Sequence, residues 1–313
     1  MRFIDQSEVR RRLTYERCIP IVRAAMIAFS RGETRQLLRS IIPLADGRMF
    51  GIMPGALGET AAFGAKLISV FPDNFAKGIQ SHQGLVLIFD PDSGAPVCVA
   101  HAGEVTAIRT AAASAVATDA LALPGASVMA VLGYGEQAET HVRAIRLVRT
   151  LSEVRVWGRS AEKAEAFAGR MSAETGLKIT ACVSAEAAVS DAQIICTLTS
   201  AKEPILLDAW VAAGTHLNLV GSSFAGPVEV DNDLVARSRF IADSREGVLA
   251  QGAEFLRARA AGLIGDHHVV GEIGEVLDGK IAGRQSADQV TVYKSLGHIV
   301  QDLAAVQALM SED

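Results

Sequence analysis

Ser127-Val128-Met129-Ala130-Val131-Leu132-Gly133-Tyr134-Gly135-Glu136-Gln137-Ala138 is the stretch that decides the fold of this chain. An apolar run enters a GxGxxA turn, and an amphipathic segment, Glu136–Arg149, follows it. A strand, turn and helix in this order cradle a dinucleotide pyrophosphate, because the first backbone N–H groups of the helix point at the phosphates. Gly133 permits the tight turn, Gly135 lets the phosphates approach the backbone, and small Ala138 lets the helix lie close to the strand. A second strand is expected at Val154–Trp157. Since this unit starts only at Ser127, residues 1–126 must build something else, about one small domain by the usual size prior.

The composition fits two domains. Half of the 313 residues are hydrophobic and 21% are charged, which gives a globular chain with ample core. A net charge of −5 argues against a nucleic-acid partner, which calls for a basic surface. Arg10-Arg11-Arg12 sits beside Glu8 and Glu16 and reads as a solvated helix face. Cys18, Cys98, Cys182 and Cys196 lie far apart among apolar neighbours, with no CxxC or Cys/His metal spacing. They read as buried thiols of a reducing cytosol, and no metal is expected. The charged N-terminus lacks the apolar core of a signal peptide. No window reaches the ~18 uninterrupted apolar residues of a membrane span. The expectation is a cytoplasmic protein.

Along the chain, residues 5–32 predict two helices, with Asp5 and Thr14 as N-caps. Strands follow from Met49 to Ala102, including a hairpin of Gly84–Asp90 and Pro96–Ala102 about the turn Pro91-Asp92-Ser93-Gly94. An alanine-rich helix runs from about Glu104 to Leu123. Beyond Leu123-Pro124-Gly125, strands and helices alternate through Ala161–Ala173, Lys178–Val183, Ala185–Ser190, Ile194–Leu198, His216–Val220 and Phe240–Ala242. That rhythm predicts an α/β fold: a Rossmann-type, doubly wound parallel sheet inserted into an α+β domain. The residues Thr291–Leu309 read as a closing helix. The expected domains are 1–122, completed by 291–313, and a dinucleotide-binding domain of 123–290.

Three cations carry the chemistry. The second strand of such a domain ends in an acid where the cofactor is NAD and near an Arg where it is NADP. Here Val154-Arg155-Val156-Trp157 ends in Gly158-Arg159-Ser160, without an acid. Arg159 is a potential bidentate phosphate donor and Ser160 a hydroxyl donor and helix cap, so NADP(H) is expected ahead of NAD(H). Lys66 shares a strand face with Ile68 and Val70, where an ammonium is costly to bury unless paired or shifted in pKa; a head snorkelling to water is the alternative. Arg109 opens a helix whose later turns are nearly all Ala, Ser and Val, so its guanidinium suits a substrate carboxylate. Arg39 is a weaker third cation. His267-His268 reads as surface loop, and His82 as either site-lining or structural. No GxSxG elbow or catalytic-cysteine setting supports hydrolysis.

The series Gly64-Ala65-Lys66, His82-Gln83-Gly84, Phe89-Asp90, Gly94-Ala95-Pro96 and Thr106-Ala107-Ile108-Arg109-Thr110-Ala111-Ala112 resembles the ornithine cyclodeaminase/mu-crystallin family. The likeness continues through Gly133–Ala138, Val220-Gly221-Ser222-Ser223, Glu229-Val230-Asp231 and Lys294-Ser295-Leu296-Gly297, covering nearly the whole chain in order. It implies a homodimer, with a nucleotide-binding domain inserted in a substrate-binding and dimerisation domain to which the last helix returns. By position, Arg39, Lys66 and Arg109 match the family's substrate and catalytic cations, and Ser295, Leu296 and Gly297 its pocket-closing segment. The expected cofactor contacts are Ser81, Gly133, Tyr134, Gly135, Glu136, Gln137, Ala138, Arg159, Ser160, Thr197 and Ser222.

Two departures matter. Ser223 stands where the cyclodeaminases carry an aspartate, and their NAD-selecting acid gives way to Gly158-Arg159. Both point to the family's reductases of cyclic imino acids, such as Δ1-pyrroline-2-carboxylate or Δ1-piperideine-2-carboxylate. Ornithine cyclodeaminase, alanine dehydrogenase and a non-catalytic NADPH-bound ligand carrier are the rivals.

Overall fold

The computed structural model describes residues 1–311, without the side chains of 75 and 76. The chain forms two compact units, Met1–Thr110 with the segment from His298 onward, and Ala111–Gly297.

In the first unit, β1 (Arg2–Ile4) precedes α1 (Gln6–Arg12) and α2 (Tyr15–Ser30). Asp5 caps α1 by accepting from the Glu8 N–H, whereas Thr14 precedes α2 without a side-chain cap bond. The strands β2 (Arg35–Gln36), β3 (Ser40–Pro43), β4 (Met49–Ala56), β5 (Phe63–Val70), β6 (His82–Phe89) and β7 (Pro96–His101) follow, and then α3 (Ala102–Leu121). The sheet runs β1-β7-β6-β5-β4-β2, with β3 also on β4; it is antiparallel except where β1 pairs β7. Alternation sorts the side chains onto two faces. Met53, Lys66 and Val86 stand opposite one another on the buried face, joined by Ile68 and Ile88. The other face carries Phe63, Leu67, Leu85, Leu87 and Phe89, with the Phe63 and Phe89 rings stacked at 5.4 Å.

The second unit opens with β8 (Val128–Leu132), α4 (Glu136–Ile145), β9 (Glu153–Trp157), α5 (Ala161–Thr175) and β10 (Ile179–Ala181). Next come α6 (Ala185–Val189), β11 (Ile194–Thr197), β12 (His216–Leu219), α7 (Asn232–Arg237), β13 (Arg239–Ala242), α8 (Arg245–Gln251) and α9 (Ala253–Ala260). It ends with β14 (Val269–Glu272), α10 (Ile273–Leu277) and β15 (Thr291–Lys294). These strands pair in parallel, in the order β10-β9-β8-β11-β12-β15-β13-β14. This is the expected Rossmann-type sheet, with β8, β9 and β10 on one side of the switch point and β11 and β12 on the other. Helices on both faces explain why β11, β12 and β15 are buried throughout.

The final helix, α11 (Ile299–Met310), belongs to the first unit and packs on α2, β4, β5 and β6. Several expectations are corrected here. Thr291–Leu309 is not one helix: β15 fills the first four positions and α11 starts at Ile299. The alanine-rich helix spans Ala102–Leu121 rather than Glu104–Leu123, and α4 stops at Ile145 rather than Arg149. The units divide at 110/111, inside α3, and at 297/298, rather than at 122/123 and 290/291. The second shift has a clear cause, since β15 hydrogen-bonds between β12 and β13 and so belongs to the parallel sheet.

Candidate active site

In the first unit, three charges from three distant parts of the chain meet in the core. Strand β5 presents Lys66, helix α3 presents Arg109, and α11 presents Asp302; they are 2%, 3% and 0% exposed. One carboxylate oxygen serves both cations: Asp302 Oδ1 accepts from Lys66 Nζ at 2.9 Å and from Arg109 Nε at 3.1 Å. Lys66 also donates to Thr106 Oγ1 at 2.6 Å, and Arg109 Nη1 donates to Gln301 Oε1 at 2.9 Å. Two cations on one anion leave this buried group with an excess positive charge.

The electrostatics follow from that arrangement. Burial pulls the Lys66 ammonium down to about 7; Asp302 opposes the fall, while Arg109 and Arg39 add to it. Burial pushes the Asp302 carboxyl up, yet Arg109 and Lys66 outweigh it and hold the group below its ordinary value. His82, whose edge is open to solvent in the isolated chain, falls to about 4 through desolvation and then through Lys66, Arg109 and Arg39. His298, the N-cap of α11, falls to about 4 through burial, with Arg39 beside it. Lys66, Arg109 and Arg39 therefore form one cationic neighbourhood, lined by neutral imidazoles. Ser81 bonds to His82 Nδ1 at 2.9 Å.

In the second unit, the turn after β8 has the form that a dinucleotide phosphate needs. Gly133 sits at φ 123°, and a Cβ there would lie 2.7 Å from the Leu198 carbonyl oxygen, so no other residue fits without movement. Gly135 is the N-cap of α4 and has no side chain to close the N–H groups of the first turn. Ala138 is fully buried, as close helix–strand packing requires. The Tyr134 ring lies over Gly158, where a Cβ would meet it at 2.2 Å. Arg159, just beyond, is exposed, and among the described residues it makes no hydrogen bond or ion pair. Ser160 caps α5 by accepting from the Lys163 N–H. Residues 133–138 and 159–160 thus fit a bound dinucleotide.

A second buried charged group organises the loops at the carboxyl ends of these strands. Glu229 accepts from Thr199 N, Thr199 Oγ1 and Gly221 N at 2.7, 2.8 and 2.9 Å. Lys294 Nζ lies 2.7 Å from Glu254 Oε2 and donates to the Ser222 carbonyl at 2.6 Å. Burial raises the Glu229 carboxyl, and Glu254 adds to the rise. Thr197 and Ser222 are buried at the ends of β11 and β12. Asp243 Oδ2 accepts from Leu296 N at 2.6 Å and Gly297 N at 2.7 Å, which fixes the segment after β15; Ser295 is buried in it. His268 bonds to the Val235 carbonyl, as a structural residue does. Among the described residues there is no His/Cys/Asp/Glu group suited to a metal ion, and no helix is long and apolar enough to cross a membrane.

Residues 2–312 match the model of the ornithine cyclodeaminase/mu-crystallin family. The chain belongs to this family. It is 36% identical over 310 residues to the ketimine reductase mu-crystallin of Mus musculus, covering 97% of this chain and 95% of the relative. Among solved structures it resembles the Δ1-pyrroline-2-carboxylate reductase of Thermococcus litoralis in complex with NADH and L-proline. That likeness has a TM-score of 0.95 at 30% identity and covers 99% of this chain and 96% of the other. An archaeal alanine dehydrogenase dimer with bound NAD matches with a TM-score of 0.92 at 26% identity, over 99% and 94% of the two chains.

The residues that sequence reasoning missed are the acids. Asp302 interrupts the apolar stripe of α11, between Ile299 and Val306, and a charge on such a face needs a buried partner; that was the available signal. Glu254 and Asp243 carried no comparable signal. The excess positive charge leads to a stability prediction. Lys66→Met leaves Arg109 and Asp302 as a neutral pair and should raise the stability of the protein at pH 6 by about 1–3 kcal/mol. Lys66 is a base whose pKa falls from 10.5 free to about 7 when folded, so its burial cost is full below pH 7 and fades towards pH 10. The advantage of the variant should fade with it. Chemical denaturation across pH checks this, and a variant less stable than wild type at pH 6 would contradict it.

Proposed function

We propose that the protein is an NAD(P)H-dependent reductase of small cyclic ketimine carboxylates, such as Δ1-pyrroline-2-carboxylate and Δ1-piperideine-2-carboxylate. The observation that carries this reading is the buried Lys66–Asp302–Arg109 group, which holds two cations with fixed directions and an excess positive charge. The names borne by the relatives, a ketimine reductase and a Δ1-pyrroline-2-carboxylate reductase, support it.

The first unit is the substrate-binding and dimerisation unit in this reading, and the second binds the cofactor. Gly133 to Ala138 and Ser222 would hold the dinucleotide, with Arg159 at its adenosine ribose. A bound nicotinamide supplies the hydride. Arg109 has Nε committed to Asp302 and Nη1 to Gln301, so the substrate carboxylate would take Nη2, with Arg39 assisting. Holding the carboxylate fixes the ring and orients the imine carbon. The imine nitrogen must gain a proton for that carbon to be electrophilic. Lys66, held near neutrality in pKa, is the donor suited to a reaction at pH 7. Ser223 is no base at that pH, which disfavours water activation of the cyclodeaminase kind.

Three outcomes are expected. Purified protein should oxidise NADPH when given the five- or six-membered cyclic imine, and Lys66→Met should lower kcat by ~100-fold or more with NADPH affinity intact. A near-normal kcat in that variant removes Lys66 from the chemistry; ammonia release from ornithine, or NADH formation from alanine, would favour a rival. Arg159→Ala should raise the KM for NADPH by about tenfold and leave that for NADH nearly unchanged, as loss of one charge-assisted phosphate contact demands. Equal effects on both cofactors would end the NADP(H) preference. Finally, the apolar sheet face of Phe63, Leu67, Leu85 and Leu87 fits a second copy of the chain. Light scattering should give a dimer for the native protein and a monomer for Leu87→Glu, and a native monomer would rule this out.

A further inference from the structure

We infer that Asp302 is a positioning residue for proton delivery: its single Oδ1 atom holds Lys66 and Arg109 in fixed register, so that donor and carboxylate anchor act on one substrate. The inference rests on the reductase reading and adds to it a residue that never touches substrate.

The geometry is specific. Asp302 is fully buried on α11, in the first turn after the His298 cap, and its Oδ1 lies 2.9 Å from Lys66 Nζ and 3.1 Å from Arg109 Nε. Two hydrogen bonds to one atom constrain the angle between the two cations as well as the distance. Its neighbour Gln301 adds a further bond to Arg109, so one turn of α11 sets both ends of the guanidinium. The other oxygen, Oδ2, is buried and has no hydrogen-bond partner among the described residues. Both hydrogen bonds that Asp302 accepts from the cations thus fall on one atom, Oδ1.

The charged and titratable groups around Lys66 are few, and their directions are consistent. From α3 comes Arg109, from α11 Asp302 with His298 at its cap, from β6 His82, from the β2–β3 segment Arg39, and from α2 the Cys18 thiol. Burial pushes the Cys18 thiol up to about 12, so it stays neutral, and both imidazoles fall to about 4. Asp302 is therefore the anion that keeps Lys66 protonated against burial and against two arginines. Removing its charge lowers the lysine pKa further, and the protonated donor survives only at lower pH.

The test is the pH profile of kcat/KM for the cyclic imine with NADPH. Wild type should lose activity as pH rises through about 7. In Asp302→Asn that alkaline limb should move down by at least about one pH unit, with KM raised as well. The substrate's own titration is common to both proteins and cancels in the difference. A limb that stays in place while only the amplitude falls would overturn the proposal, because a merely structural role lowers the amount of active enzyme at every pH. Should Asp302→Asn fail to fold, Asp302→Glu keeps the charge: its limb should stay within a few tenths of a unit while KM rises, and a limb displaced by a unit would overturn the inference. Failure of the reductase reading itself is told apart by NMR of protein carrying lysine labelled at Cε. The Lys66 signal, assigned by its loss in Lys66→Met, must titrate at lower pH in Asp302→Asn, and this readout needs no substrate.

Discussion

A carboxylate that shares one oxygen between an ammonium and a guanidinium, with water excluded from all three, is the constraint on which the first unit is organised. Burying charges is expensive, and the cost is met only when partners and geometry are good. Lys66 and Asp302 are 236 residues apart in sequence, and Arg109 and Asp302 are 193 apart, so neither contact exists before the last helix has docked. Apart from Thr106 and Gln301, which bond to the two cations, the core near them includes buried Met26, Met53, Ile68, Val86 and Ile108. Placing Lys66 on β5, which is paired on both sides by β4 and β6, removes the freedom that a loop lysine would retain.

The second unit solves a related problem with the same means. Its parallel sheet must end in loops whose backbone N–H groups find acceptors away from water. Glu229 supplies the acceptor for Thr199 and Gly221, and Asp243 for Leu296 and Gly297. The strand β15, last of the second unit's strands in chain order but lying between β12 and β13, brings Lys294 to this edge to balance Glu254. The loops at the strand ends are thereby tied to buried carboxylates. Dinucleotides bind outside the carboxyl ends of such strands, at a switch point.

Most elements with a local signature were legible in the sequence, the parallel strands near 194–198, 216–220 and 240–242 among them, whereas several short elements fixed by long-range pairing were not. The β8–α4 turn was plain because Gly133, Gly135 and Ala138 each have a local steric reason. Arg39, Lys66 and Arg109 could be singled out as cations in unusual surroundings, but the atom that joins Lys66 to Arg109 could not, since Asp302 sits in a helix whose period is otherwise ordinary. β15 was misread for a physical reason: Val292, Leu296 and Val300 recur every four residues and imitate a helical face across a strand and a turn. β1 is three residues long and exists because β7 pairs with it, and β14 is hidden in a glycine-rich stretch. The dinucleotide unit was thus readable as a pattern, whereas the acids that fix Lys66, Arg109 and the strand-end loops were readable only as exceptions to one.

What the site can do follows from how its acid is committed. Held by two cations below its ordinary pKa, Asp302 remains an anion throughout the neutral range and has no proton to give or reason to take one. It cannot serve as the base that would activate water. Ser223, a hydroxyl, offers none either. Lys66 differs, because burial has brought it to about 7, where it exchanges a proton readily. In the proposed reading, the committed anion, the exchangeable ammonium and the two guanidinium groups would hold a carboxylate and deliver a proton. Reduction of an imino acid needs both of these.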